Sequence, residues 1–295
     1  MPTVNDTITA GYVQQFADTW ELASQQQDSR LQVTTKDRGK ITGSAFTSNN
    51  LGATAAQPVT SRLGDTVWTD IAHSTRLATM SDFDWSTPLD SFDVPKLLAN
   101  PQGEYMMDGI AALNRQKDAL IYSAWIGSAQ EKTSEGGPYA PVAVPAGQKI
   151  VAGATGMTKA KLLAAKKLFR KNEADEHNGK QLFMLYNSEM LEDILADTTL
   201  TSADFMAVKM LQEGDVAGKW LGFKWIPYEG LLLTGGTTYT TVAGCVGNVD
   251  FGMGLNRVID VGPRRDKKMA VQIYAQESYG AVRKRETDVV LIDFV

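Results

Sequence analysis

The chain has little of what catalysis usually draws on. Histidine occurs twice, at His73 and His177, and cysteine once, at Cys245. A single cysteine excludes an intrachain disulfide, and neither histidine has a second ligand at metal spacing. His177 in EADEHNGK reads as a surface turn, and Cys245 in VAGCVGNV as a small buried hydrophobe. Positive charge is also short. The formal net charge is -5 and the pI about 5.2, where a dedicated nucleic-acid binder would carry a basic excess. Long apolar runs are missing as well. Gly230–Val249 carries no charge but is rich in threonine and glycine, too polar to span a bilayer. The opening MPTVNDTITAGYVQQ lacks the basic and apolar regions of a signal peptide. These readings predict a protein made and used in a cytoplasm, with no membrane partner.

Motifs for chemistry are incomplete. Asp82-Phe83-Asp84 lacks the third carboxylate and the glycine of a calcium loop. Gly214 to Trp220 is one residue short of a phosphate loop, and Trp220 stands where Ser or Thr would hold magnesium. Gly252-Met253-Gly254 lacks the third glycine of a dinucleotide fingerprint. The expectation is no catalytic residue, no metal and no cofactor. Two other readings stay open. One is an α+β hydrolase using carboxylates such as Glu173 or Asp250. The other is a DNA-binding module built on the basic helix 159–171. Glu173, Asp175 and Glu176 follow that helix at once, which favours a solvated face.

What the chain does have is packing material. Hydrophobic residues make up 43% and charged residues 21% of it, the composition of an ordinary globular protein. Tyr12, Phe16, Trp20 and Leu22 recur near helical spacing in an N-terminal arm, residues 1–30. Residues 31–80 turn to Thr, Ser, Gly and Ala with short alternating runs. This predicts a long two-stranded ribbon with its tip within Gly39–Ala56. Such a ribbon cannot bury a core of its own, so a partner subunit is the natural surface for it. Lys36, Arg38, Lys40 and Phe46 are its candidate inter-subunit contacts.

Glu104–Ile126 carries one apolar stripe through Met106, Ile110, Leu113, Ile121 and Trp125, a helix about 35 Å long. Residues 127–156 form a Gly/Pro loop able to conceal a hairpin. Thr158 precedes the basic helix, whose apolar face is Leu162, Ala165 and Phe169. A buried-type strand at Gln181–Tyr186 follows, then helices opened by Ser188 and Ser202. Strands are predicted at Trp220–Tyr228, Val242–Val249, Leu255–Val261, Met269–Tyr279 and Thr287–Phe294. Without regular βαβ alternation, the fold class is α+β. Two basic clusters fall at strand ends: Arg264, Arg265, Lys267 and Lys268, then Arg283 and Arg285 around Lys284. They read as ordinary charged turns, or as contacts to an acidic neighbour or to nucleic acid.

The order of these parts resembles tailed-bacteriophage major capsid proteins of the Hong-Kong-97-type fold, podophage-like. Phe92-Asp93, Pro101 and the run Ala111–Asp118 are similar to the family's approach to its spine helix. Thr201–Phe205, Glu213–Val216 and Leu221–Ile226 resemble a phrase of podophage-type subunits. Tyr279–Arg283 followed by Val289–Ile292 resembles the closing strands. The resemblance implies an extended loop at 31–80 and a peripheral domain at 81–157 with spine helix 104–126. It further implies an axial domain at 158–255 and closing strands at 256–295 shared by both domains. The implied function is structural: hexamers and pentamers of one subunit forming an icosahedral shell around double-stranded DNA. The implied partners are the chain itself, a separate scaffolding protein, a portal protein, a decoration protein and non-specific packaged DNA.

Overall fold

The computed structural model describes residues 22–62, 64–90, 102–196 and 219–295. The arm helix through Trp20, the lead-in at Phe92–Pro101, the helix at Ser202–Leu211 and the Glu213–Val216 turn lie outside the described residues.

Three sheets organise the molecule. The largest contains β7 (Lys149–Ile150), β8 (Leu182–Tyr186), β9 (Lys219–Trp220), β10 (Phe223–Pro227), β11 (Leu232–Thr234), β12 (Thr238–Cys245) and β15 (Val289–Phe294). Its order is β7-β15-β12-β8-β10-β9, with β11 beside β12. All five residues of β8 are buried, which explains its unbroken LFMLY run: a central strand covered on both faces has no polar side. Helices α2 (Lys159–Lys171) and α3 (Ser188–Ala196) belong to this unit. Leu162, Ala165 and Phe169 of α2 are buried, as the periodicity predicted. The cap of α3 is Asn187, whose Oδ1 accepts from the Met190 amide at 3.0 Å, one residue earlier than the expected Ser188.

The second sheet is β1 (Thr35–Lys40), β13 (Val249–Arg264), β14 (Ala270–Arg283) and β4 (Ser81–Leu89), in the order β1-β13-β14-β4. Helix α1, Gln102–Ile126, lies against β14 and β4. Gly109 permits that approach, since a Cβ there would lie 2.4 Å from the Trp85 ring. Phe83 stacks on Tyr279 with ring centroids 4.9 Å apart. One hydrophobic core runs from this helix into the large sheet. Trp125 packs edge-on to Phe183, with centroids 5.0 Å apart.

The third sheet is the ribbon. β2 (Ala45–Leu51) pairs with β3 (His73–Thr79), β3 with β5 (Ala129–Lys132), and β5 with β6 (Ala140–Val142). The Gly/Pro loop therefore does contain a hairpin, β5–β6, which braces the ribbon root.

Two expectations about the ribbon are corrected. Residues 35–40 are not part of it: β1 pairs in parallel with β13, Thr35 opposite Val249. The tip is not Gly39–Ala56 but the connection 52–72, whose ends are joined by the Gly52 amide donating to the Ala72 carbonyl at 2.8 Å. Gly43, at φ +120°, instead lies in the turn between β1 and β2, and Gly39, at φ +72°, in the register irregularity near the end of β1. The large sheet also draws in β7 and β15 from either side of the 158–255 span, while β13 leaves it for the second sheet.

Candidate assembly interface

Three polar joints fix the long parts relative to one another. The first anchors the end of the arm. Buried Asp118 of α1 accepts from Gln26 Nε2 and Ser29 Oγ at 2.5 Å each, from the Arg30 amide at 2.8 Å and from the Leu31 amide at 3.2 Å. Beside it, Arg257 donates to Glu277 and to Asn114, both at 2.7 Å, and Asn114 donates to the Gln27 carbonyl at 2.7 Å.

The second joint holds the ribbon root to β13. Asp250 is fully buried and takes Arg38 Nη2 at 2.6 Å, Ser48 Oγ at 2.7 Å and Lys284 Nζ at 3.1 Å. Burial alone would raise its carboxyl pKa. The hydrogen bonds from Arg38 and Ser48 and the charge of Lys284 outweigh that and hold it below the usual carboxylate value.

The third joint closes the end of α1. That helix has no basic residue in its last turn, so its final carbonyls need a donor from elsewhere. Arg283 supplies it, donating to the carbonyls of Trp125 and Gly127 at 2.7 Å each. Arg76 of the ribbon donates to the Arg283 carbonyl at 2.9 Å and pairs with Glu286 at 2.6 Å and Glu131 at 3.0 Å.

These joints sort the candidate residues. Arg283 is corrected: it is wholly buried at a helix terminus and is no surface contact. Arg38 lies on β1 and is paired to Asp250 within the chain. Phe46 packs at the ribbon base beside Ala78, Ala129 and Val282. Lys36 and Lys40 are exposed on β1. Arg264, Arg265, Lys267 and Lys268 are exposed together at the β13–β14 turn. Arg285 is exposed, its amide donating to Asn248 Oδ1 at 3.0 Å.

Sequence reasoning did not single out Asp118 or Arg76. An isolated carboxylate or arginine in a sequence gives no sign of the distant chain it binds.

Of the catalytic alternatives, Asp250 is committed to its three cationic and hydroxyl donors. Glu173 stands in a left-handed turn after α2 at φ 55°. Among the described residues no group of three or more His, Cys, Asp or Glu could hold a metal. None of the described helices is long and apolar enough to cross a membrane. Burial raises the Cys245 thiol pKa to about 12, with the Asp288 carboxylate adding to the effect. In the basic helix, Lys161 Nζ donates to two backbone carbonyls at 2.8 Å, while Lys166 and Arg170 pair with Glu176 and Asp175.

The site is thus a set of structural joints: a long helix on a sheet, a ribbon rooted by ionic contacts and an exposed tip. The chain belongs to the phage capsid protein family, whose model matches residues 8–295. Solved structures agree on the fold. The capsid of Ralstonia phage GP4 matches with TM-score 0.73 at 9% identity, covering 100% of this chain and 98% of that one. The cyanophage Pam1 capsid matches with TM-score 0.71 at 12% identity, covering 97% of each chain. Mycobacterium phage Che8 matches with TM-score 0.70 at 13% identity, covering 96% and 97%. No curated protein matches. The protein has the Hong-Kong-97-type fold and is a structural protein of a phage capsid.

Proposed function

We propose that the parts divide the work of the shell as follows. The ribbon, β2–β3 with its 52–72 tip, reaches over an adjacent subunit. The α1 unit with β4, β13 and β14 is the peripheral domain, and the large sheet with α2 and α3 is the axial domain around five- and sixfold axes. The shell encloses double-stranded DNA and is of podophage type. It is built with a separate scaffolding protein and a portal, and a decoration protein is a further partner.

The observation that carries the division is the tip itself. Every described residue from Leu51 to His73 is exposed, and a 21-residue connection without helix or strand among its described residues finds no burial against the described residues of its own subunit. Loops of that length in compact proteins are usually functional. Replacing residues 53–71 by a two-residue turn keeps the Gly52–Ala72 rung. The shortened subunit is expected to fold with unchanged far-UV circular dichroism yet fail to give stable shells in electron micrographs. Shells of normal yield and heat resistance would refute the role given to the ribbon.

A further inference from the structure

We propose that the pocket between the start of β8 and the β9–β10 hairpin binds a phosphate group, held between Lys219 and Lys224. This goes beyond the division of work in the shell and stands on the geometry of one subunit.

The hairpin sets two lysines against each other. In the antiparallel pairing of β9 with β10, Lys219 lies opposite Lys224. Residues opposite one another in such a pair share a face, with Cβ atoms about 4.5–5.5 Å apart, and like charges there destabilise the sheet. A lysine pair in register is thus a poor choice for a hairpin unless something negative lies between. Both lysines are exposed, and neither forms a hydrogen bond or ion pair among the described residues.

Two left-handed turns shape the cavity. Leu221 and Gly222, at φ 52° and 80°, make the two-residue turn that matches the twist of paired strands. Gly222 also leaves one wall open: a Cβ there would lie 2.1 Å from Glu176 Oε1 and 2.5 Å from Lys166 Nζ. Gly179, at φ 70°, turns the chain toward β8 on the other side. The cavity between them measures about 460 Å³, room for a phosphate group and its water.

Its charge is one-sided. Glu176 is the one carboxylate in the lining among the described residues, and Lys166 already pairs with it. Burial would raise the Glu176 pKa, but the hydrogen bonds from Lys166 and its own amide, with the charges of Lys166 and Lys219, hold it below the ordinary value. Lys180, also in the lining, shares Asp288 at 3.3 Å. Lys219 and Lys224 are the two cations left over. Lysines hold phosphate as point charges, without the fixed fork of arginine. No aromatic ring lines the cavity among the described residues, so it offers no platform for a base. The lining fits the phosphate group itself, free or in a phosphodiester chain.

Acylation of lysines, read by mass spectrometry, tests the site on the intact subunit with inorganic diphosphate as probe. At roughly ten times its dissociation constant, diphosphate should slow labelling of Lys219 and Lys224 about tenfold. Exposed Lys171 and Lys267 should be unaffected, and chloride at equal ionic strength should do nothing. Equal slowing at all four lysines, or none at any concentration, overturns the site. Lys224→Gln is the second readout. Removing one of two like charges should raise the melting midpoint of the anion-free subunit and abolish the rise that diphosphate gives the parent. A lowered midpoint, or an undiminished rise, also overturns it.

The source of the phosphate is read on shells. Slower labelling of the pair in DNA-filled than in empty shells assigns the site to packaged DNA. Equal labelling in both, with diphosphate protecting the free subunit, assigns it to free phosphate. Protection in empty shells with no anion added means that a carboxylate of a neighbouring copy fills the pocket, and overturns the phosphate assignment.

Discussion

Asp118 is the place where one substitution should detach the arm and leave the helix beneath it intact. Its carboxylate is buried and meets four donors from residues 26–31. In Asp118→Ala the Gln26 and Ser29 side chains can turn to water at little cost. The amide of Leu31 cannot, because Leu31 is fully buried, whereas Arg30 is exposed. Each orphaned buried donor costs about 1–3 kcal/mol. One such donor gives about 2 kcal/mol of local destabilisation, or roughly 30-fold in the opening equilibrium. The assay is amide hydrogen exchange of the intact subunit, read at residues 30 and 31 and in the middle of α1. The expected result is acceleration of roughly that size for the arm amides and little change in the helix. Acceleration below about threefold would show that the carboxylate does not hold the arm. Equal acceleration everywhere would show that Asp118 supports the whole fold and not a local anchor.

Two further outcomes follow from the other contacts. The depressed carboxyl of Asp250 contributes stability above its unfolded value near 4, and that contribution is lost as pH falls through the lower folded value. Protease protection of the β1–β2 segment should therefore persist to about pH 4 and fail below it; in Arg38→Ala the failure should move to higher pH, and an unmoved midpoint counts against the joint. Gly109→Ala drives a methyl into the Trp85 ring, so a loss of about 1–3 kcal/mol in urea unfolding is expected, and an unchanged midpoint would mean the ring has free space to move.

What the sequence made legible was whatever repeats locally. The α1 stripe placed the helix within two residues of its observed start, and the apolar run of β8 and the buried face of α2 appeared where the pattern put them. These signals come from neighbours in the chain. The ribbon was legible as a change in composition, but its tip was misplaced, since Gly39 marks an irregularity within β1 and Gly43 a turn between sheets, not the end of a hairpin. The parallel pairing of β1 with β13 was invisible, because nothing near Thr35 refers to Val249. Arg283 misled for the same reason. Next to Lys284 and Arg285 it looks like surface charge, and only the distant carbonyls of Trp125 and Gly127 draw it inside. Predicted strand limits for β13 were too short, as glycines and bulges interrupt a strand that runs Val249–Arg264.

The joints at the ribbon root also set a schedule for synthesis. Arg38 meets Asp250 across 212 positions, and Arg76 meets Glu286 across 210. A ribosome needs roughly 10–40 s to cover that interval. For that time the ribbon strands have left the exit tunnel while the carboxylates that anchor them have not been made. On a crowded polysome, the arm that would grasp a neighbour is thus not fixed to its own subunit until Glu286 is translated. Synthesis of the segment that carries Asp250 and Glu286 becomes the step that sets the ribbon in its assembly-ready position.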